Sequence, residues 1–212
     1  MDLGKRFISV RDKKRKEQMI DFVMEKDYDL ILLQGSNVEK MIDLSYFEKA
    51  DYNINITNKK MVTLLRPEYK FFSVSTESNE CSRNIFYYER RPIACLNVNC
   101  KYAENFYDVL EGCDFYSNPK SYGYVPSRII TGRFPRGIDT NEFCDAFDLE
   151  DVSTLVAHKA HIEYNQEMLH HLFISRNLDC KNIHKLVGLT EVSKIGEAYP
   201  IEATISYKKV LK

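Results

Sequence analysis

The chain has 212 residues, 44% of them hydrophobic, and its 30 Lys and Arg stand against 31 Asp and Glu. That length suits one sizeable core and a single domain over 1–212, and the composition excludes a disordered chain. The near-neutral balance excludes a general polyanion binder, so any nucleic-acid contact must come from a local patch.

No long apolar run and no charged-then-apolar leader is present, so neither a membrane span nor a signal peptide is expected. "KRFISV" (Lys5–Val10) reads as a short strand, and Lys16–Lys26 as an amphipathic helix with Met19, Ile20, Phe22, Val23 and Met24 at helical spacing. Leu30–Leu33 is a continuous apolar run closed by Gly35, the pattern of a strand buried on both faces. Strand, helix, strand is the opening of an α/β fold with a crossover connection. The middle is β-rich: Tyr52–Thr57, Met61–Leu65, Phe71–Ser75, Asn84–Tyr88 and Pro92–Asn99 are short strands whose tight connections suit antiparallel pairing. "ERR" (Glu89–Arg91) reads as a charged hairpin turn. Glu104–Gly112 is helical, Arg128–Gly132 a strand, and Thr140–Val152 a short helix with an acidic start. Leu169–Ser175 and Tyr199–Tyr207 are strands. Leu30–Leu33, Ile93–Val98 and Ile129–Thr131 are expected to be the central strands.

The six cysteines (Cys81, Cys95, Cys100, Cys113, Cys144, Cys180) form no C-x-x-C pair, and several lie in strand-like apolar contexts. They read as reduced, buried thiols of an intracellular protein, cytoplasmic or nuclear, rather than as a zinc site. His158, His161, His170 and His171 are four of the five histidines in one short span. Without a Cys pair or H-E-x-x-H they read as structural or surface histidines. The aromatic stretches "KFF" and "FYY" have strand spacing, which favours core packing over base stacking.

Six segments in order resemble the endonuclease/exonuclease/phosphatase superfamily, the deoxyribonuclease-I-like fold. "FISVRDKKRKEQMIDFVMEKDYDLILLQG" covers its first two motifs, and "RPIACLNVN" its histidine strand. "RIITGRFP" matches its Gly-Asp-Phe-Asn strand, "HHLFISRNL" its Asp strand and "GEAYPIEATI" its last motif. The resemblance implies an α/β sandwich of two mixed sheets with flanking helices. It also implies, in active members, a divalent metal on oxygen ligands, a His–Asp pair and an Asn/Asp pair on the phosphate.

This sequence departs from that set at nearly every place. The metal-binding Asn falls at Arg11, or at Val10 if the register slips by one, and the metal-binding Glu at Gly35. The catalytic His falls at Asn99, the central Asp and Asn at Arg133 and Pro135, and the later Asp at His170. In the final motif Glu197 stands for Asp and Ala198 for His. The resemblance therefore implies a pseudoenzyme with no metal and no cofactor. Its expected role is a binding factor for RNA, DNA or a ribonucleoprotein. The candidate face is Arg11, Lys13, Lys14, Arg15, Lys16, Arg133 and Arg136, in which Arg11–Lys16 forms a basic loop. Arg11 and Arg133 admit two readings, guanidinium groups standing in for the metal's charge on a phosphate or ordinary solvated rim residues. Two other functions stay open. One is a phosphodiesterase or phosphatase with a site rearranged around Glu197, Asp139 and the histidines; the other is a protein-binding structural subunit.

Overall fold

The computed structural model describes residues 10–35, 37–57, 59–75, 80–100, 106–112, 126–153, 170–185 and 201–209. Helix α1 spans Val10–Lys26, longer than its apolar stripe, so the basic run Arg11–Lys16 is its first turns rather than a loop. Lys and Arg are good helix formers and no Gly or Pro interrupts them, so the helix continues back past its amphipathic part. The rest of the expected strand Lys5–Val10 lies outside the described residues.

Strand β1 (Leu30–Gln34) follows, then short helices α2 (Val38–Met41) and α3 (Ser45–Lys49), and strands β2 (Asn53–Thr57) and β3 (Met61–Leu65). These strands form a sheet in the order β1-β3-β2, antiparallel throughout. Met19, Ile20 and Val23 of α1 pack with Phe47 onto its outer face, against Ile31, Leu33, Val62 and Leu64. β1 was expected to be central. Among the described strands it is the outer member of its sheet, with Ile31 and Leu33 buried on one face and Leu30 and Leu32 half-buried on the other. A continuous apolar run reports burial of both faces, and says nothing about how many neighbours a strand has.

The larger sheet has six strands: β4 (Phe71–Ser75), β5 (Cys81–Tyr88), β6 (Arg91–Asn99), β7 (Ser127–Arg133), β8 (Leu149–Asp151) and β9 (His170–Ser175). Their order is β4-β5-β6-β7-β9-β8, and only β6 and β7 run parallel. The β5–β6 turn is the expected charged hairpin. Tyr88 pairs with Arg91, and Glu89 and Arg90 take φ of 50° and 63°, the left-handed pair that matches strand twist. Helix α4 (Phe106–Gly112) lies within the β6–β7 connection, as a parallel pair requires. Helix α5 (Thr140–Phe147) is shorter than expected: Asp148, at φ 54°, ends it in a left-handed cap and β8 begins at once. Phe106, Leu110, Phe143 and Phe147 of the two helices cover Ile85, Leu96, Val98, Ile130 and Phe173 of the sheet.

Strand β10 (Leu178–Lys185) pairs antiparallel with β11 (Ile201–Tyr207). β10 escaped the sequence reading because its alternation breaks at a bulge between Lys181 and His184, where Asn182 has φ 51°. Both strands contribute to the inter-sheet core, with Leu178, Ile183 and Ile205 packed near Leu65, Ile93, Ile129 and Ile174. A bond from the Tyr28 hydroxyl to Glu202 Oε2 (2.7 Å) ties β11 to the approach of β1, and burial raises the tyrosine's pKa first of all. Among the described residues no helix is long and apolar enough to cross a membrane.

Candidate functional site at the carboxyl ends of β6 and β7

Alternate residues of a strand face opposite sides of its sheet, so parity decides what each face carries. On the inner face β6 presents Ile93, Cys95, Asn97 and Asn99 in turn, and β7 presents Ile129, Thr131 and Arg133. β9 runs the other way, with Ile174, then Leu172, then His170. All three strands go from apolar to polar toward the same end. There Asn99 pairs with Arg133, and Arg133 with His170, so the three side chains form one half-buried row. The end of a parallel pair's strands is where ligands of open α/β sheets collect.

The layer beneath the row is a locked amide network. Gln34 Nε2 donates to Asn97 Oδ1 and to the Val98 carbonyl, the latter at 2.6 Å, and Asn97 Nδ2 donates to the Leu33 carbonyl at 3.2 Å. Gln34 comes from the smaller sheet and Asn97 from the larger, so the network joins the two. It fits only because residue 132 is glycine: a Cβ there would lie 2.0 Å from Val98 O and 2.2 Å from Gln34 Nε2. Gln34 Oε1, by contrast, is buried with no hydrogen-bond partner among the described residues. Gln34, Asn97, Thr131, Leu172 and His170 share the wall of a cleft of about 490 Å³ between the sheets.

The two adjacent histidines part company. His170 faces the cleft, whereas His171 points into the opposite core, stacked on Phe173 at 5.3 Å and edge-on to Phe134 at 5.5 Å. Its Nδ1 lies 3.1 Å from Asp151 Oδ2, with both side chains buried. Asp151 also accepts from the Ser153 amide at 3.0 Å, and Ser153 Oγ accepts from the Leu172 amide at 2.6 Å. This pair fastens β8 to β9, a structural histidine as expected, though nothing in the sequence named Asp151 as its partner.

The other expected positions are dispersed. Gly35 is buried and its N–H donates to the Lys60 carbonyl at 2.9 Å. Pro135 is buried behind the row, and Arg136 is exposed in the turn that follows. Asp139, a candidate ligand in the rearranged-site alternative, is the N-cap of α5, accepting from the Asn141 and Glu142 amides at 3.0 and 3.1 Å. The backbone of Arg11, Lys13, Lys14, Arg15 and Lys16 lies in α1, while Glu197, Ala198, His158 and His161 fall outside the described residues.

The donor set at the row does not suit a divalent cation. Arg133 brings a fixed positive charge, His170 brings no oxygen, and Asn99 brings a single neutral carboxamide oxygen, whereas a hard cation takes several oxygens with carboxylates among them. Among the described residues no group of three or more His, Cys, Asp or Glu is placed to hold a metal. Cys81, Cys95 and Cys100 are buried, and burial pushes the Cys95 thiol up to about 12. Cys144 is pushed up to about 11, again first by burial. Thiols held protonated in this way make poor nucleophiles and poor ligands.

No protein-family model and no curated protein sequence matches the chain. Solved structures match it in fold. An endonuclease/exonuclease/phosphatase protein from Bacteroides vulgatus has a TM-score of 0.71 at 11% identity, over 98% of this chain and 97% of its own. The human Nocturnin catalytic domain, with bound sulfate anion, has 0.68 at 12% identity, over 92% of this chain and 87% of that one. The mannosyl-6-phosphatase of Bacteroides thetaiotaomicron has 0.62 at 12% identity, over 97% of each chain. Among the described strands only the six-stranded sheet is mixed, the three-stranded one being antiparallel where a second mixed sheet was expected, and with its flanking helices this chain has the deoxyribonuclease-I-like sandwich fold of the endonuclease/exonuclease/phosphatase proteins.

Proposed function

We propose that residues 1–212 form one non-catalytic binding domain that holds the phosphate backbone of a nucleic acid, free or in a ribonucleoprotein, at the carboxyl ends of β6 and β7. The observation that carries this reading is the row Asn99–Arg133–His170, aligned across three paired strands. It offers N–H donors and a guanidinium where a metal-dependent hydrolase needs carboxylates. Such a set suits an anion, and Arg can grip a phosphate through two parallel hydrogen bonds. Arg136, three residues past Arg133, and the basic first turns of α1 would extend the contact along the backbone. A fold neighbour solved with a sulfate anion bound is in keeping with an anion site on this scaffold. The buried cysteines Cys81, Cys95 and Cys100, in a sequence with no paired Cys pattern, suit a reducing, intracellular setting.

The test is a salt titration with a short single-stranded oligonucleotide. Affinity is expected to fall steeply with salt, and Arg133→Ala to reduce the slope of log K against log salt by about 0.7. Changing Lys13, Lys14, Arg15 and Lys16 together to Ser should flatten the slope further, while stability moves by no more than about 0.5 kcal/mol. Magnesium should produce no turnover of a generic phosphodiester. Binding that ignores both salt and these substitutions would overturn the reading, and magnesium-dependent turnover would overturn its non-catalytic part.

A further inference from the structure

We infer that the cleft between the two sheets is a binding site for a long-chain amine, an unbranched apolar tail ending in one ammonium group. The inference does not rest on the phosphate reading, since of the row only His170 lines the cleft.

The tail's place follows from what the strands leave uncovered. β1 turns Leu30 and Leu32 toward the inter-sheet core, and β11 turns Ile201, Ala203 and Ile205 toward the same space. All five line the cleft and all five are half-buried, so their apolar surface meets whatever enters it. Ile93, Ile129 and Leu172 of the larger sheet form a buried wall of the same cleft. Its volume of about 490 Å³ lies in the range of small-molecule sites, and at about 30 Å³ per water-sized group it holds about sixteen. Each methylene moved from water onto such walls should tighten binding about fourfold.

The head's place follows from charge. Of the residues lining the cleft, Asp27, Asp29 and Glu202 are anionic and Lys26 is cationic. Lys26 to Asp29 lead into β1, so the charges gather at its amino end, whereas Gln34 at its carboxyl end has its NH₂ committed to Asn97 and Val98. Arg66 holds Asp27 at 2.9 Å and Asp29 at 3.3 Å, but it also holds Glu68 at 3.2 Å. Two cations thus stand among four carboxylates, an excess of negative charge that favours a cation on the ligand. Glu202 is its anchor. The Tyr28 hydroxyl donates to Glu202 Oε2 at 2.7 Å, which fixes the carboxylate and takes one of its two oxygens. Tyr69, whose N–H donates to the Arg66 carbonyl at 3.0 Å, lines the same end with Tyr88, their ring centroids 6.1 Å apart. Tyrosine faces attract an ammonium as carboxylates do, and both disfavour an anionic head.

Calorimetric titration of the whole chain at neutral pH tests this with decylamine, octylamine, decanol and decanoate, each below its aggregation concentration. Decylamine is expected to bind one per chain, about fifteenfold tighter than octylamine, as two methylenes require. It should also bind about tenfold tighter than decanol, the factor for one hydrogen bond to a charged group, with decanoate weakest. Glu202→Gln keeps an acceptor for Tyr28 and should bring decylamine down to the level of decanol. Ala203→Phe, which fills the cleft from its wall, should abolish binding of all four. Equal binding of amine, alcohol and acid would overturn the inference, as would decanoate binding tightest. Absence of saturable binding, or affinity that ignores chain length, would overturn it too. The four ligands need no variant, so they decide the matter even if Ala203→Phe fails to fold. Oligonucleotide affinity and its salt slope should be untouched by decylamine tail length, so the phosphate reading stands or falls separately.

Discussion

Gly132→Ala is expected to be among the most damaging single substitutions in the described chain, costing upward of about 3 kcal/mol. Two penalties coincide there. Residue 132 has φ +133°, a conformation that side-chain-bearing residues rarely adopt, and the new methyl would sit 2.0 Å from the Val98 carbonyl oxygen. That oxygen belongs to β6, the strand paired with β5 on one side and β7 on the other, so it cannot retreat without disturbing both ladders. The second obstacle, Gln34 Nε2 at 2.2 Å, can move only by giving up its bonds to Asn97 and Val98. Gly137→Ala is the control: φ is +78° but no atom of the described residues lies within 4 Å, so strain alone should cost about 1–2 kcal/mol. Urea denaturation of the two variants checks the claim. Equal, mild losses would mean that the Gln34–Asn97–Gly132 packing is wrong.

Phe134→Ala should come next, at about 3–5 kcal/mol. Phe134 is fully buried, with ring centroids 5.1 Å from Phe173, 5.5 Å from Phe106 and 5.5 Å from His171. It joins helix α4 to strand β9 through the aromatic core. The same truncation at Phe72, which is 56% exposed, should move stability by about 0.5 kcal/mol or less. Thermal melts of the pair distinguish burial from mere aromatic character. A Phe134→Ala melt close to wild type would show that the cluster is loosely packed.

The strands were legible wherever burial is two-sided or turns are short. Ile93–Val98 and Ile129–Thr131 are covered by the helices on one face and by the inter-sheet core on the other, and their apolar runs record that. β8 and β10 were not legible. β8 is three residues long after a left-handed cap on Asp148, and β10 carries its pattern across a bulge. At the site, motif order placed Asn99, Arg133 and His170, and strand pairing then brought them side by side. What sequence could not reveal was the partner of each buried polar group. Gln34 and Asn97 are 63 positions apart and Asp151 and His171 are 20 apart, and no local periodicity encodes such pairs. The glycine in "TGRF" could be read as a motif remnant; the amide nitrogen it makes room for becomes visible only when both sheets are in place.

The parity of β6, β7 and β9 has a consequence for how such a protein can change over generations. Residues that face the helices hold the fold, and those at the inner end of the same strands form the proposed phosphate site, so the two demands fall on alternate codons. Drift at Asn99, Arg133 or His170 would recast the proposed site while Val98 and His171 stay under selection for folding. An insertion or deletion of one residue in any of these strands would exchange the two sets, placing Arg133 against the aromatic core. Substitution is therefore the open evolutionary route at this end of the sheet, and a change of length is the closed one.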